Sequence, residues 1–291
     1  MKKRTVVIAV VVLIGITTCV TDVLIRSEAQ KRARYEQAMR LADAGDTGGA
    51  YALFAQLGNY RDAASQAERL IELDVLLPCR AAEKGDTVTF GRYEQDNNPG
   101  NGPEPIDWIV LDKVDGKLLL LSSACLAGKA YNAESFAPVT WETCSLRAWL
   151  GGEFFDSAFS EREREAVASV VNRNDDHSTV GTPGGKDTED RVFLLSESDV
   201  VIYLNNDYDQ DTIGRAMASD YAVANGLQTD EDGLCSWWLR SPGMYEYIAQ
   251  FVDQQGKPYP NGGSTDIDYL FGVRPALWVD LDTADEGAAA Q

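Results

Sequence analysis

A single histidine, His177, is all the imidazole in this chain of 291 residues. That excludes every mechanism needing two imidazoles, a three-histidine zinc site included. Basic residues are also scarce. Lys and Arg number 26 against 46 Asp and Glu, a net charge of −20, so nucleic acid is a poor partner. No two of the five cysteines form a C-x-x-C metal or redox motif. Gly181 to Lys186 lacks the frame of a phosphate-binding loop. The remaining composition is ordinary: 44% hydrophobic and 25% charged residues describe globular material with enough chain to bury a sizeable core.

The few bases cluster at the start, where residues 1–34 hold seven of them against two acids. Lys2, Lys3 and Arg4 precede an apolar run from Thr5 to Val20, and Thr21 and Asp22 separate it from Val23, Leu24 and Ile25. The unbroken run falls just short of a bilayer's thickness, and the extension to Ile25 makes it long enough. The expectation is a signal anchor, a transmembrane helix over residues 1–26, because an anchor needs only a basic flank and an apolar run. A lipoprotein signal at Cys19 and a cleaved signal peptide are the alternatives. All three place the bulk of the chain outside the cytoplasm, with the membrane as the partner of the N-terminal helix.

Residues 27–78 carry no strand pattern. Tyr35 to Gly45, a second segment with Ala50, Leu53, Phe54 and Leu57 ending at Gly58, and a third from Tyr60 to Leu76 with Ala63, Ala67, Leu70 and Ile71 inward read as three helices. Asp46 or Thr47 is the expected cap of the second and Asn59 of the third. The pattern of small alanines facing one aromatic resembles a tetratricopeptide-type unit, and little more than one repeat is present. A short α-helical stalk is therefore expected here.

After Pro78 the character changes to strands. Val88–Tyr93, Ile106–Leu111, Lys117–Ser122, Arg191–Ser196, Ser236–Ser241, Ile248–Asp253 and Val273–Val279 read as strands, with a hairpin about Asp115-Gly116. Helices are expected from Leu146, after a Ser160 cap, and over Ile213–Ala224. Strands without regular βαβ alternation predict an α+β domain over residues 79–282 with mainly antiparallel pairing, and residues 283–291 read as a frayed tail.

Six blocks in this domain occur in a specific order. They are F-G-x-Y-x-Q (Phe90–Gln95), I-x-W-x-V-L (Ile106–Leu111), W-E-x-x-x-L-R-x-W-L (Trp141–Leu150), D-R-V-F-L-L-S (Asp190–Ser196), W-W-L-R-S-P-G (Trp237–Gly243) and G-V-R-P-A-L (Gly272–Leu277). Together they resemble the domain of unknown function 6273 family, across about 190 residues. The last two blocks look like the closing strands of C-type-lectin-like folds, which implies that fold for this domain by analogy.

Candidate site residues follow. Arg147, Arg240 and Arg274 lie in apolar blocks, where a guanidinium is held by carboxylates or carbonyls or, alternatively, anchors an anionic ligand group. Of the adjacent Trp237 and Trp238, one is expected in the core, the other being able to offer a flat face to a sugar or peptide. The segment between the last two blocks holds Tyr245, Tyr247, Tyr259, Asn261, Asp266 and Asp268 among glycines, a composition typical of binding loops. The alternative there is a polar turn over the core edge. Asn205 to Asp211 alternates oxygen ligands like a calcium loop but lacks its glycine and terminal glutamate. Asp230–Gly233 is also acid-rich, so calcium stands as an alternative to solvated acidic loops. His177 is expected to be solvated in its polar loop. The four cysteines after Cys19 are expected as buried thiols. The resulting expectation is a binding or receptor module for a glycan, peptide or surface partner, against a hydrolase using paired carboxylates or a purely structural surface protein.

Overall fold

Small alanines on one face let the helices of the stalk segment pack closely. The computed structural model describes residues 27–204 and 211–283, and the chain divides into two compact units, Met1–Leu77 and Pro78–Gln291. In the first, α1 (27–43) is followed by α2 (Thr47–Leu57) and α3 (Ala63–Leu73). Asp46 caps α2 by accepting the Gly49 N–H at 2.9 Å. Helix α3 begins later than the sequence suggests, with Asp62 rather than Asn59 at its N-cap. Ala38, Ala50, Ala63 and Ala67 surround Phe54, Leu57 and Leu70 in the core. Tyr35 fills the remaining gap, its ring edge-on to Phe54 at 5.7 Å and to Tyr60 at 6.2 Å.

The expected architecture needs one correction. No helix among the described residues is long and apolar enough to cross a membrane. Residues 1–26, where the spanning helix was expected, lie outside the described residues. The described residues form an α+β fold with mainly antiparallel sheets and contain no spanning helix.

In the second unit, strands β1 (Thr87–Tyr93), β2 (Glu104–Val114), β3 (Lys117–Ser122), β7 (Val192–Phe193) and β12 (Ala276–Asp280) build one sheet in the order β1-β2-β3-β12-β7. Asp115 and Gly116 both have positive φ, the geometry of a tight hairpin between β2 and β3. Leu118 to Leu121 are all buried, so β3 is covered on both faces. A second sheet has the order β10-β9-β8-β11-β4, from β4 (Ala127–Lys129), β8 (Trp237–Pro242), β9 (Ile248–Val252), β10 (Pro258–Ser264) and β11 (Phe271–Val273). Its β8–β11 pair is parallel and the rest are antiparallel. A separate hairpin joins β5 (Val170–Asn172) and β6 (Thr188–Asp190).

Three sequence expectations change here. The strand expected over Val273–Val279 is two strands, because Arg274-Pro275 carries the chain from one sheet into the other. Proline, with no N–H to donate, marks the break. The helix expected over Ile213–Ala224 is a turn at Asp211–Gly214 and a short helix at Asp220–Ala224, with Met217 and Ala218 in isolated bridges between them. Both Trp237 and Trp238 are fully buried, since β8 lies inside its sheet. Their indole N–H groups donate to the Gly214 and Lys129 carbonyls.

Helices cover the sheets. Helix α4 (Ser145–Trp149) runs on through a π-helical turn at Leu150–Phe154, and α5 (Glu161–Ala166) starts from a capping box between Ser160 and Glu163. Helix α6 (Glu197–Leu204) follows β7 and brings its first turn beside β8.

Candidate functional site

The loop between β5 and β6, residues 173–187, is rooted by one buried carboxylate. Asp190 accepts hydrogen bonds from Trp141 Nε1 (3.1 Å), Asn172 Nδ2 (3.0 Å), Thr188 Oγ1 (2.7 Å) and Arg147 Nε (2.6 Å). Burial pushes its pKa up, but the four donors outweigh that and hold it below the usual aspartate value. Arg147 is thereby a scaffold residue, its remaining donors on the Glu142 and Glu189 carbonyls. Inside the loop the chain approaches itself closely. A Cβ on Gly184 would collide with the Asn174 and Asp175 carbonyls, so only glycine fits.

This loop, the first turn of α6 and the end of β8 enclose a cavity of about 460 Å³. Arg240 forms part of its wall. One guanidinium nitrogen, Nη1, donates to Asp199 Oδ2 at 2.6 Å and the Leu194 carbonyl at 2.8 Å. Asp199 in turn caps α6 reciprocally with Ser196. Arg240 Nε is buried and has no hydrogen-bond partner among the described residues, and Asn174 Oδ1, also in the wall, shares that condition. A third such atom, Gln250 Oε1, lies behind the wall, where the same amide donates to Glu197 Oε2 at 3.0 Å. Buried polar atoms without partners are rare in folded proteins, and two belong to residues of this cavity's wall. Ser178, Ser196, Ser198 and Ser241 supply hydroxyls, and the exposed Val201 and Ile202 an apolar wall.

The carboxylates in the lining already hold protein partners. Glu197 accepts from Ser178 Oγ (2.8 Å) as well as Gln250, Asp176 from the Gly184 N–H (3.0 Å), and Asp175 pairs with Arg173 at 2.6 Å.

Across the same loop lies a shallower depression of about 330 Å³, lined by Val180, Thr182 and Pro183 on one side and Met244, Tyr245 and Tyr247 on the other. The two tyrosine rings are parallel within 8°, centroids 5.7 Å apart, and solvent-exposed at 55% and 41%. His177 ties the loop down. Contrary to expectation it is buried: Nδ1 accepts the Thr179 and Val180 N–H groups, leaving Nε2 to donate to the Pro260 carbonyl at 3.0 Å.

The structure therefore separates the residues that the sequence groups together. Arg240 belongs to the cavity and Tyr245 and Tyr247 to the depression. Tyr259, on β10, lines neither and stacks on Phe251 at 5.0 Å. Asn261 is exposed and its carbonyl accepts from the Met244 N–H. Asp266 is buried and accepts the Phe136 N–H at 2.6 Å, while Asp268 is exposed. Arg274 is fully buried, with donors on the Ser122 and Ile213 carbonyls and its guanidinium over Trp237, so carbonyls rather than a carboxylate hold it.

Of the acid-rich stretches, residues 205–210 lie outside the described residues, and Asp230 closes its own turn by accepting the Asp232 and Leu234 N–H groups. Glu94, Asp96 and Glu104, which the sequence did not single out, bring carboxylate oxygens within 4.8 Å of one another. Those oxygens take the Gln95, Asp96 and Asn98 N–H groups and the Asn101 amide, which accounts for the cluster as an acidic turn. Cys79, Cys125, Cys144 and Cys235 are all buried thiols.

Residues 115–281, more than half of the chain, match the family described as Domain of unknown function (DUF6273), and the chain belongs to that family. The blocks at Phe90–Gln95 and Ile106–Leu111 precede the matched region. No curated protein and no solved structure matches the chain.

Proposed function

We propose that this DUF6273 member is a binding module whose second unit holds a small hydroxyl-rich ligand, a glycan, in the cavity beside Arg240. The observation that carries the reading is that two residues of that cavity's wall, Arg240 and Asn174, hold buried polar atoms, Nε and Oδ1, without protein partners. Serine hydroxyls and an apolar strip complement a ligand with polar edges and an apolar face. Engagement of Glu197, Asp175 and Asp176 by protein partners favours recognition over hydrolysis by paired carboxylates.

The C-type-lectin-like architecture belongs to this reading, supported by two mainly antiparallel sheets joined through Arg274-Pro275. The first unit is a helical spacer of tetratricopeptide-like pattern. An address outside the cytoplasm is part of the proposal and rests on the basic start and apolar run alone.

Glycan and peptide array binding by the full chain, compared with Ser198→Trp, tests it. Ser198 is exposed at the cavity mouth, so the indole blocks the cavity without entering the core. Loss of the glycan signal in the variant is expected. Equal binding, or binding of peptides alone, refutes the reading.

A further inference from the structure

The depression beside the cavity has features that ligand binding in the cavity leaves unused. Every residue of the segment 244–247 has its backbone pinned. The Met244 carbonyl accepts from Thr182 Oγ1 at 2.9 Å, that of Tyr245 from the Ile248 N–H at 2.9 Å, and that of Glu246 from the Val139 N–H at 2.8 Å. The Tyr247 carbonyl accepts from Thr265 Oγ1, also at 2.9 Å. The polar ends of the side chains, by contrast, are open to solvent. Among the described residues neither phenol hydroxyl nor the Glu246 carboxylate has a hydrogen-bond partner, and all three groups lie on exposed residues lining the depression. A rigid backbone presenting unsatisfied, half-exposed aromatics is a preorganised recognition surface, whose ordering cost is met in folding rather than in binding.

The chemistry of the lining selects the occupant. Two parallel rings offer flat faces whose negative quadrupole attracts C–H groups, and the phenols and the carboxylate along them offer hydroxyl donors and acceptors. No Lys or Arg lines the depression and the chain carries −20, so anionic ligands are repelled. An uncharged ring with an apolar face and a hydroxylated edge meets all three conditions. We propose that Tyr245, Tyr247 and Glu246 form a second subsite that stacks a neutral pyranose ring of a glycan. The subsite rests on the reading of this unit as a glycan-binding module, and the two are neighbours along one loop, which lines the cavity with residues 173–178 and the depression with residues 180–183.

The test is titration of the full chain with chitotetraose, cellotetraose and maltotetraose, alongside Tyr245→Ala, Tyr247→Ala and Ser198→Trp. Both tyrosines are exposed, so their variants should keep the wild-type thermal transition. Each should weaken the best of the three sugars by about tenfold, the scale of one half-buried aromatic face returned to water. Saturation-transfer NMR on that sugar should place the strongest contact on the C–H protons of one ring face. If binding survives Ser198→Trp and falls with the tyrosines, the subsite stands and the cavity reading fails. If it falls only with Ser198→Trp, the subsite is refuted and the cavity reading stands. Absence of binding by any of the three sugars, or tyrosine-dependent capture of a proline-rich peptide in their place, also overturns the proposal.

Discussion

Replacing Asp190 by alanine removes the acceptor of four donors at the root of the loop that walls both depressions. Arg147 keeps two carbonyl partners and its side chain is partly exposed, so its loss falls at the lower end of the roughly 3–5 kcal/mol typical of a broken buried ion pair. Trp141, Asn172 and Thr188 each forfeit a bond worth about 1 kcal/mol net, and water entering from the surface depression that Arg147, Glu189 and Asp190 line offsets part of that. A destabilisation of about 4 kcal/mol follows, which for a unit of this size is a Tm drop of about 8–16 °C. Asp190→Asn should cost about half as much, because the amide oxygen can still receive Trp141, Asn172 and Thr188 while the amide nitrogen faces Arg147.

Proton linkage adds a second signature. The pKa of folded Asp190 is held below its unfolded value, so its contribution is complete above about pH 4 and is lost as pH falls through the folded value. The Tm gap between wild type and Asp190→Asn should therefore narrow below about pH 4. Calorimetric scans of the three proteins between pH 7 and pH 3 supply both readings. A drop of less than about 3 °C for Asp190→Ala, or a gap that stays constant into acid, would refute the role assigned to this carboxylate.

Three further outcomes are expected. Cys79, Cys125, Cys144 and Cys235 should resist iodoacetamide at pH 8 in the folded protein and label fully after unfolding. All four are buried, and burial pushes the Cys144 thiol up to about 12; peptide mapping that finds rapid native labelling of any one contradicts its placement. Gly184→Ala should lower Tm and weaken ligand binding together, because the backbone carbonyls of Asn174 and Asp175 cannot yield to a methyl group; an unchanged Tm would show that the loop is wider than described. Residues 78–283 alone should unfold in one cooperative calorimetric transition, since that unit has its own core; a broad, non-cooperative melt would place part of the core elsewhere.

What the sequence disclosed, and what it did not, follows from how local each signal is. The alanine spacing around Phe54, the Asp115-Gly116 hairpin and the Ser160–Glu163 cap are set by residues a few positions apart, and all three are found in the structure. Strand β10 was hidden because Pro258, Pro260, Gly262 and Gly263 read as loop, yet it lies at the sheet edge, where proline and a bulge are tolerated. Tyr245 and Tyr247 were legible only as members of one polar, tyrosine-bearing segment that also held Tyr259. The cavity was not. Asn174, Glu197 and Arg240 are brought together only when the β5–β6 loop closes over α6 and β8, and no sequence period records that. His177 looked solvated among Asp175, Asp176 and Ser178. Its burial depends on the Pro260 carbonyl, which is remote in sequence.

Hydrogen exchange of the full chain, with and without the strongest ligand from the glycan array, tests the placement of the binding site most directly. Protection of amides in 174–178 and 196–202 is expected, with 244–247 joining them if the ring-stacking subsite is filled. Protection confined to other surfaces, such as the acidic turn at 94–104, would contradict a glycan site beside Arg240.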